Sequence, residues 1–164
     1  NIPNDKLVYD AKMVLLKRLE KSTLRLTEIT DQLTQADETI AKIEAQLNNN
    51  ETKEADSLRK ASKTITDSIK NIRNFIFGTP QEKQGYGTSY QLTVNEKMQA
   101  ARAEVLGKNK IPDVQEITQI EIAETLVNEA VEKTNMLFTT KWVVYKKLAE
   151  ATPVKVFKEY KSIE

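Results

Sequence analysis

The sequence predicts an all-α fold: an elongated antiparallel up-down four-helix bundle with long first and fourth helices. Three observations carry that expectation. Val8, Leu15, Leu19, Ser22, Leu26, Ile29, Leu33, Ala36, Ile40, Ile43 and Leu47 form one apolar seam. After Leu15 its steps alternate between four and three residues, which keeps one stripe of a helix facing a partner. The 164 residues include only 4 glycines and 4 prolines, and these fall between the apolar seams rather than inside them. A strand-rich chain would need more turns than that.

Asn1 to Asn4 contains Pro3 and reads as a lead-in strand or linker, after which Asn4 or Asp5 can cap the first helix. That helix continues to about Asn48 without a breaker, a length on the order of 60 Å. Apolar surface of that extent needs covering, so the rest of the chain must supply helices against it. Asn48, Asn49 and Asn50 tolerate left-handed backbone and predict a tight turn. Asn50-Glu51-Thr52 also matches the N-glycosylation acceptor pattern, but the turn explains these residue types better.

The second helix is expected from Lys53 to Phe77, with Ala55, Leu58, Ser62, Ile65, Ile69, Ile72 and Ile76 inward. The short connection makes it antiparallel to the first, and Gly78, Thr79 and Pro80 stop it. Gln81 to Gln91 holds Gly85, Tyr86, Gly87 and Tyr90, the one irregular stretch. A binding loop is one reading; a loop pinned to its own bundle by its aromatics is preferred.

Thr93 and Glu96 have capping-box spacing, and Val94, Met98, Ala101 and Val105 carry a short third helix to Gly107. Pro112 and Asp113 start the fourth helix, which is expected to run to Ala151 with Ile117, Ile120, Val127, Ala130, Leu137, Val144 and Leu148 inward. Its acidic residues, Asp113 to Glu132, precede Lys141, Lys146 and Lys147, an order that suits the helix dipole. After Pro153, the residues Val154, Phe157, Tyr160 and Ile163 suggest a final amphipathic segment that folds back. In an up-down-up-down bundle the first helix starts where the fourth ends. Tyr9, Leu15 and Leu16 are therefore expected against Phe138, Trp142 and Tyr145. Both termini would leave there, and that aromatic end would dock a neighbouring domain.

Length and composition limit the function. The chain fits a single domain, 1–164, and its start at Asn1 rather than Met suggests a piece of a larger protein. With 25 basic and 24 acidic residues the net charge is +1, which gives no field for nucleic acid. No run of about 18 apolar residues spans a membrane. Cysteine and histidine are both absent, which removes disulfides, thiolate metal sites and the commonest general base. The expectation is a chain that is not an enzyme and needs no cofactor; no catalytic, cofactor-binding or metal-ligating residue is assigned.

The remaining candidates have plainer explanations. Glu121 and Glu124 could face inward as metal ligands, but bundle metal sites pair glutamate with histidine, so a solvated face is preferred. Gly85-x-Gly87 lacks the third glycine of a phosphate loop. Lys17, Arg18, Lys21 and Arg25 form a basic stretch, expected near Lys141, Lys146 and Lys147, with interleaved acids and no aromatic platform. Glu38 with Lys42, Asp56 with Lys60, Glu104 with Lys108 and Glu129 with Lys133 have the spacing of exposed helix pairs.

Several stretches carry a resemblance. They are Leu19-Glu20-Lys21-Ser22-Thr23, Asp56-Ser57-Leu58-Arg59-Lys60, Asp67-Ser68-Ile69-Lys70-Asn71-Ile72-Arg73, the loop Glu82-Lys83-Gln84-Gly85-Tyr86-Gly87, Lys141-Trp142, and Phe157-Lys158-Glu159-Tyr160. In this order the chain resembles the C-terminal helical region of bacterial sortilin-like or sialidase-type (BNR-repeat) β-propeller proteins classed with the glycosyl hydrolases. The resemblance implies an exported parent, periplasmic or at the cell surface, whose hydrolytic site lies in the propeller and places no catalytic residue here. It implies a noncatalytic accessory or interaction module whose partner is the neighbouring domain. The alternative is a periplasmic ligand-sensing four-helix bundle of a membrane receptor, which also has both termini at one end.

Overall fold

The seams become helices at the expected places. The computed structural model describes residues 2–79, 92–153 and 160–164, with backbone alone for residues 2 and 3. It contains α1 (Ile2–Gln46), α2 (Lys53–Phe77), α3 (Val94–Gly107), α4 (Val114–Thr139) and α5 (Lys141–Ala151), with no strand among the described residues. The fold is an all-α helical bundle.

Helix α1 begins at Ile2, which corrects the lead-in strand or linker expected before Asp5. Pro3 lies in the first turn, where its missing N–H removes no intrahelical bond. From Leu15 to Leu47 every seam position is buried except Ile43, which is half-buried. Asn49 takes the left-handed backbone at φ 63°. The last turn of α1 has no basic residue of its own. Arg59 of α2 reaches back instead, donating from Nη2 to the carbonyls of Leu47 at 2.7 Å and Asn50 at 2.6 Å. The Leu47 carbonyl also accepts from the Asn50 amide at 2.9 Å, so Arg59 ties the end of α1 and the turn to α2.

Thr52 caps α2 by accepting from the Ala55 amide at 3.2 Å, and all seven expected seam residues of α2 are buried. Gly78 ends it at φ 79°, its amide donating to the Asn74 carbonyl at 2.7 Å. A Cβ at Gly78 would stand 2.9 Å from Thr93 Cγ2. Glycine is required there by backbone angle and by space. The same contact sets the start of α3 beside the end of α2. The expected capping box of Thr93 with Glu96 forms, and the expected start of the fourth helix at Asp113 carries a second one, with Glu116.

Residue pairings give the directions of the helices. Between α1 and α2, Leu47 meets Arg59 twelve positions on, whereas Asp37 meets Arg73 thirty-six on, so the two run oppositely. Ser62 with Tyr145 and Ser68 with Lys141, separated by 83 and 73, set α2 opposite to α5. Arg18 with Glu124, Arg25 with Asn128 and Asn50 with Pro153 are separated by 106, 103 and 103. A nearly constant separation means that α1 runs parallel to α4 and α5. Leu15 and Leu19 cluster with Ala101, Val105 and Ile120, while the α1 seam from Leu26 onward packs with α2 and the later part of α4.

This path corrects the up-down-up-down arrangement. Helices α2 and α3 lie end to end along one side of α1, and α4 with α5 along another, so three helices rather than four share each cross-section. The reason is coverage. Helix α1 has 45 residues and α2 only 25, so about half of the α1 seam stays open unless α3 continues in the direction of α2. The start of α1 and the end of α5 consequently lie at opposite ends. Tyr9 is exposed and does not meet the aromatic residues. Phe138, Trp142 and Tyr145 lie instead toward the Asn48–Asn50 turn, where Asn50 Nδ2 donates to the Pro153 carbonyl at 3.2 Å. Beyond Pro153, residues 154–159 lie outside the described residues. Tyr160 and Ile163 are non-helical and exposed, so this part does not fold back as expected.

Candidate functional site

The expected fourth helix is interrupted at Thr140, and the interruption shapes the surface beside it. Thr140 leaves helical geometry at φ −119° and ψ −86°. Its hydroxyl donates to the Met136 carbonyl at 2.6 Å, and that of Thr139 to the Asn135 carbonyl at 2.8 Å. Threonine side chains that bond back to the preceding turn bend helices. Before the break the buried seam is Glu116, Ile120, Ala123, Val127, Ala130, Thr134 and Leu137. Alternating steps would next bury Lys141 and Val144. Burying the Lys141 ammonium there would be costly. The seam instead takes a five-residue step to Trp142 and proceeds through Tyr145, Ala149 and Thr152. Val144, expected inward, is 59% exposed.

The slip places a polar and aromatic set inside. Tyr145 is 1% exposed, and its Oη accepts from Ser62 Oγ at 2.9 Å. Burial pushes its phenol above the usual range. The Trp142 ring stands edge-on to Phe138 with centroids 5.6 Å apart, and 5.5 Å from Tyr145, geometries that aromatic quadrupoles favour.

Outside, the slip leaves an apolar shelf between α2 and the α4–α5 junction. Lys141 lies across it, its Nζ donating to Ser68 Oγ at 2.9 Å. On one side is a hollow of about 270 Å³ lined by Ile72, Phe75, Lys133, Met136 and Leu137 among others. On the other is one of about 590 Å³ lined by Ala61, Thr64, Ile65, Val143 and Val144 with the Thr139–Lys141 turn. Met136 at 68% exposure and Val144 at 59% supply open apolar surface. Lys133 Nζ sits 5.1 Å from the centre of the Phe75 ring and 3.7 Å from Glu129. Neither hollow is lined by a carboxylate. Sequence reasoning missed this surface, although one signal was present: a lysine at a seam position.

The residues weighed from sequence are placed elsewhere. Glu121 is exposed, and Glu124 forms a two-pronged pair with Arg18 through its Nε and Nη2. Arg25 donates to Asn128. Arg18, Lys21 and Arg25 of the basic stretch thus lie beside the acidic side of α4 and not near Lys141, Lys146 or Lys147, which corrects that expectation. Asn50 is 8% exposed with its amide engaged by Pro153, which fits the turn rather than a sugar acceptor. The Gln81 to Gln91 loop, with Gly85, Tyr86, Gly87 and Tyr90, lies outside the described residues. Among those residues, no group of three or more His, Cys, Asp or Glu side chains is placed to hold a metal ion.

Among the described residues, the most buried carboxylate is structural. Glu116, 2% exposed, accepts from the Asp113 amide at 2.7 Å and lies 3.0 Å from Lys108 Nζ. That hydrogen bond raises the Lys108 ammonium above the usual lysine range. Asp113 is held well below the usual carboxylate range by its hydrogen bonding with Glu116, then by the Lys110 ammonium and the Glu116 amide. Of the expected surface pairs, Glu129 with Lys133 forms; Asp56 takes Arg59 instead, and Lys108 takes Glu116.

No family model, curated protein or solved structure matches the chain. No described helix is long and apolar enough to cross a membrane.

Proposed function

We propose that the chain is a noncatalytic helical interaction module of a larger exported protein, periplasmic or at the cell surface, of the kind its sequence stretches resemble. The apolar shelf around Lys141 is the observation that carries this. Exposed Met136, Val143 and Val144 lie together on it, and a grouped apolar surface with polar edges is what partner binding uses. Glycoside hydrolysis commonly requires two carboxylates across a cleft. Glu124 is committed to Arg18, Glu116 to Lys108 and the Asp113 amide, and the shelf has no carboxylate in its lining.

The neighbouring domain was expected to dock at an end shared by both termini. With the start of α1 and the end of α5 far apart, that shared end does not form, and the shelf on the flank of the bundle is the surface left for a partner protein. The ligand-sensing alternative drew on the same shared end and loses that support.

Incubation of the purified chain with a panel of chromogenic glycosides tests the proposal. No turnover is expected. Hydrolysis abolished by one Asp or Glu substitution would contradict it, and a large thermal stabilisation by a small solute would favour ligand sensing.

A further inference from the structure

The shelf has the shape of a missing helix and the charge of only half an interaction. Helices α2 and α5 run antiparallel, and a shallow groove along α2 exposes Val143 and Val144 over Ala61 and Thr64 and, on the other side of Lys141, Met136 of α4 beside Ile72 and Phe75. Small residues on α2 admit close approach, and amphipathic helices dock in such grooves with residues at three- and four-residue spacing. Lys133 and Lys141 stand in the lining with no carboxylate among its residues; Glu129, 3.7 Å from Lys133, lies outside it. The described partner of Lys141 is a serine hydroxyl.

Resting on the proposed role as an interaction module, we infer that the shelf binds an acidic amphipathic helix of a partner protein. Its apolar stripe covers Met136, Val143 and Val144, and its carboxylates meet Lys133 and Lys141. These two lysines are eight positions apart along the chain, about 12 Å of helix rise, so the matching acids are about eight residues apart. A second copy of this chain is a poorer occupant. In a two-fold interface the same patch meets itself, which would set the lysines of one shelf against those of the other.

Fluorescence anisotropy of the whole chain with three labelled synthetic peptides of about four helical turns tests this. One carries a leucine stripe with glutamates eight apart, one has lysines in place of the glutamates, and one is a scramble of the first. The acidic peptide is expected to bind best. Its affinity should fall at least about tenfold with Lys141→Glu or Val144→Glu, because a reversed or intruding charge disfavours the complex. The double variant Lys133→Glu with Lys141→Glu should come to prefer the lysine peptide. These side chains lie at the surface, and far-ultraviolet circular dichroism verifies that each variant is folded. Equal binding of all three peptides, no binding of the acidic one, or indifference to the substitutions would overturn the inference. So would sedimentation showing a dimer that Val144→Glu dissociates, since a second copy would then be the occupant. Failure of the peptides with glycosides untouched refutes the acidic helix alone, whereas glycoside turnover refutes the module.

Discussion

Asp113 shows how much a single cap can hold. Its Oδ1 accepts from the amides of Gln115 at 3.0 Å and Glu116 at 3.3 Å, and its other oxygen takes the Lys110 ammonium at 2.7 Å. Its carboxyl is held below the usual range, first by hydrogen bonding with Glu116. A carboxylate whose folded pKa is depressed stabilises the fold above its unfolded value of about 3.9, and that contribution is lost as pH falls toward the folded value. Asn caps about as well as Asp but does not titrate. The melting temperature of the parent should therefore exceed that of Asp113→Asn by most above about pH 5, with the gap narrowing progressively as the pH falls below about 4. A gap that stays constant or widens on acidification would contradict the role given to this carboxylate.

At the scale of the helix, Thr140 is an extra residue in the seam. From Leu137 the inward positions step by five to half-buried Trp142 and then by three to buried Tyr145. Deleting Thr140 restores alternating steps of four and three, so Trp142 and Tyr145 stay inward on one unbroken helix. The deletion is expected to melt cooperatively within a few degrees of the parent, with circular dichroism showing no loss of helix. Deleting Thr125, inside the uninterrupted run, shifts every later seam residue to another face and should cost several kcal/mol. Equal damage from the two deletions would contradict the skip. Most element boundaries were legible because capping pairs, glycines and seam spacing are local; the start of α1 at Ile2 and the break at Thr140 were not. Val144 was misplaced because the slip depends on threonine hydroxyls competing for backbone carbonyls. The shelf was hidden for the same reason, since it exists only after Lys141 and Val144 turn outward.

Across the whole molecule, arrangement rather than helix content escaped the sequence. Seam spacing says that a helix needs partners, not which helix supplies them at each level. The relevant signal was length, because the 25 residues of α2 fall well short of the 45 of α1. Gly78 and Thr93 in contact then allow α3 to extend the same side. That placement separates the chain ends and moves the aromatic cluster beside the Asn48–Asn50 turn. It also leaves the α2–α5 flank as the surface on which a fourth helix can lie.

A distance between α1 and α5 tests this path most directly. The chain contains no cysteine, so Lys17→Cys with Lys146→Cys gives two unique nitroxide sites at exposed positions for pulsed dipolar spectroscopy. With α1 parallel to α5, these sites are expected to be about 40 Å apart, from the helix rise between Lys17 and the level of α1 that faces Lys146. A narrow distribution centred near that value supports three helices in each cross-section. A distance below about 20 Å, as an up-down-up-down bundle with its ends together requires, would contradict it.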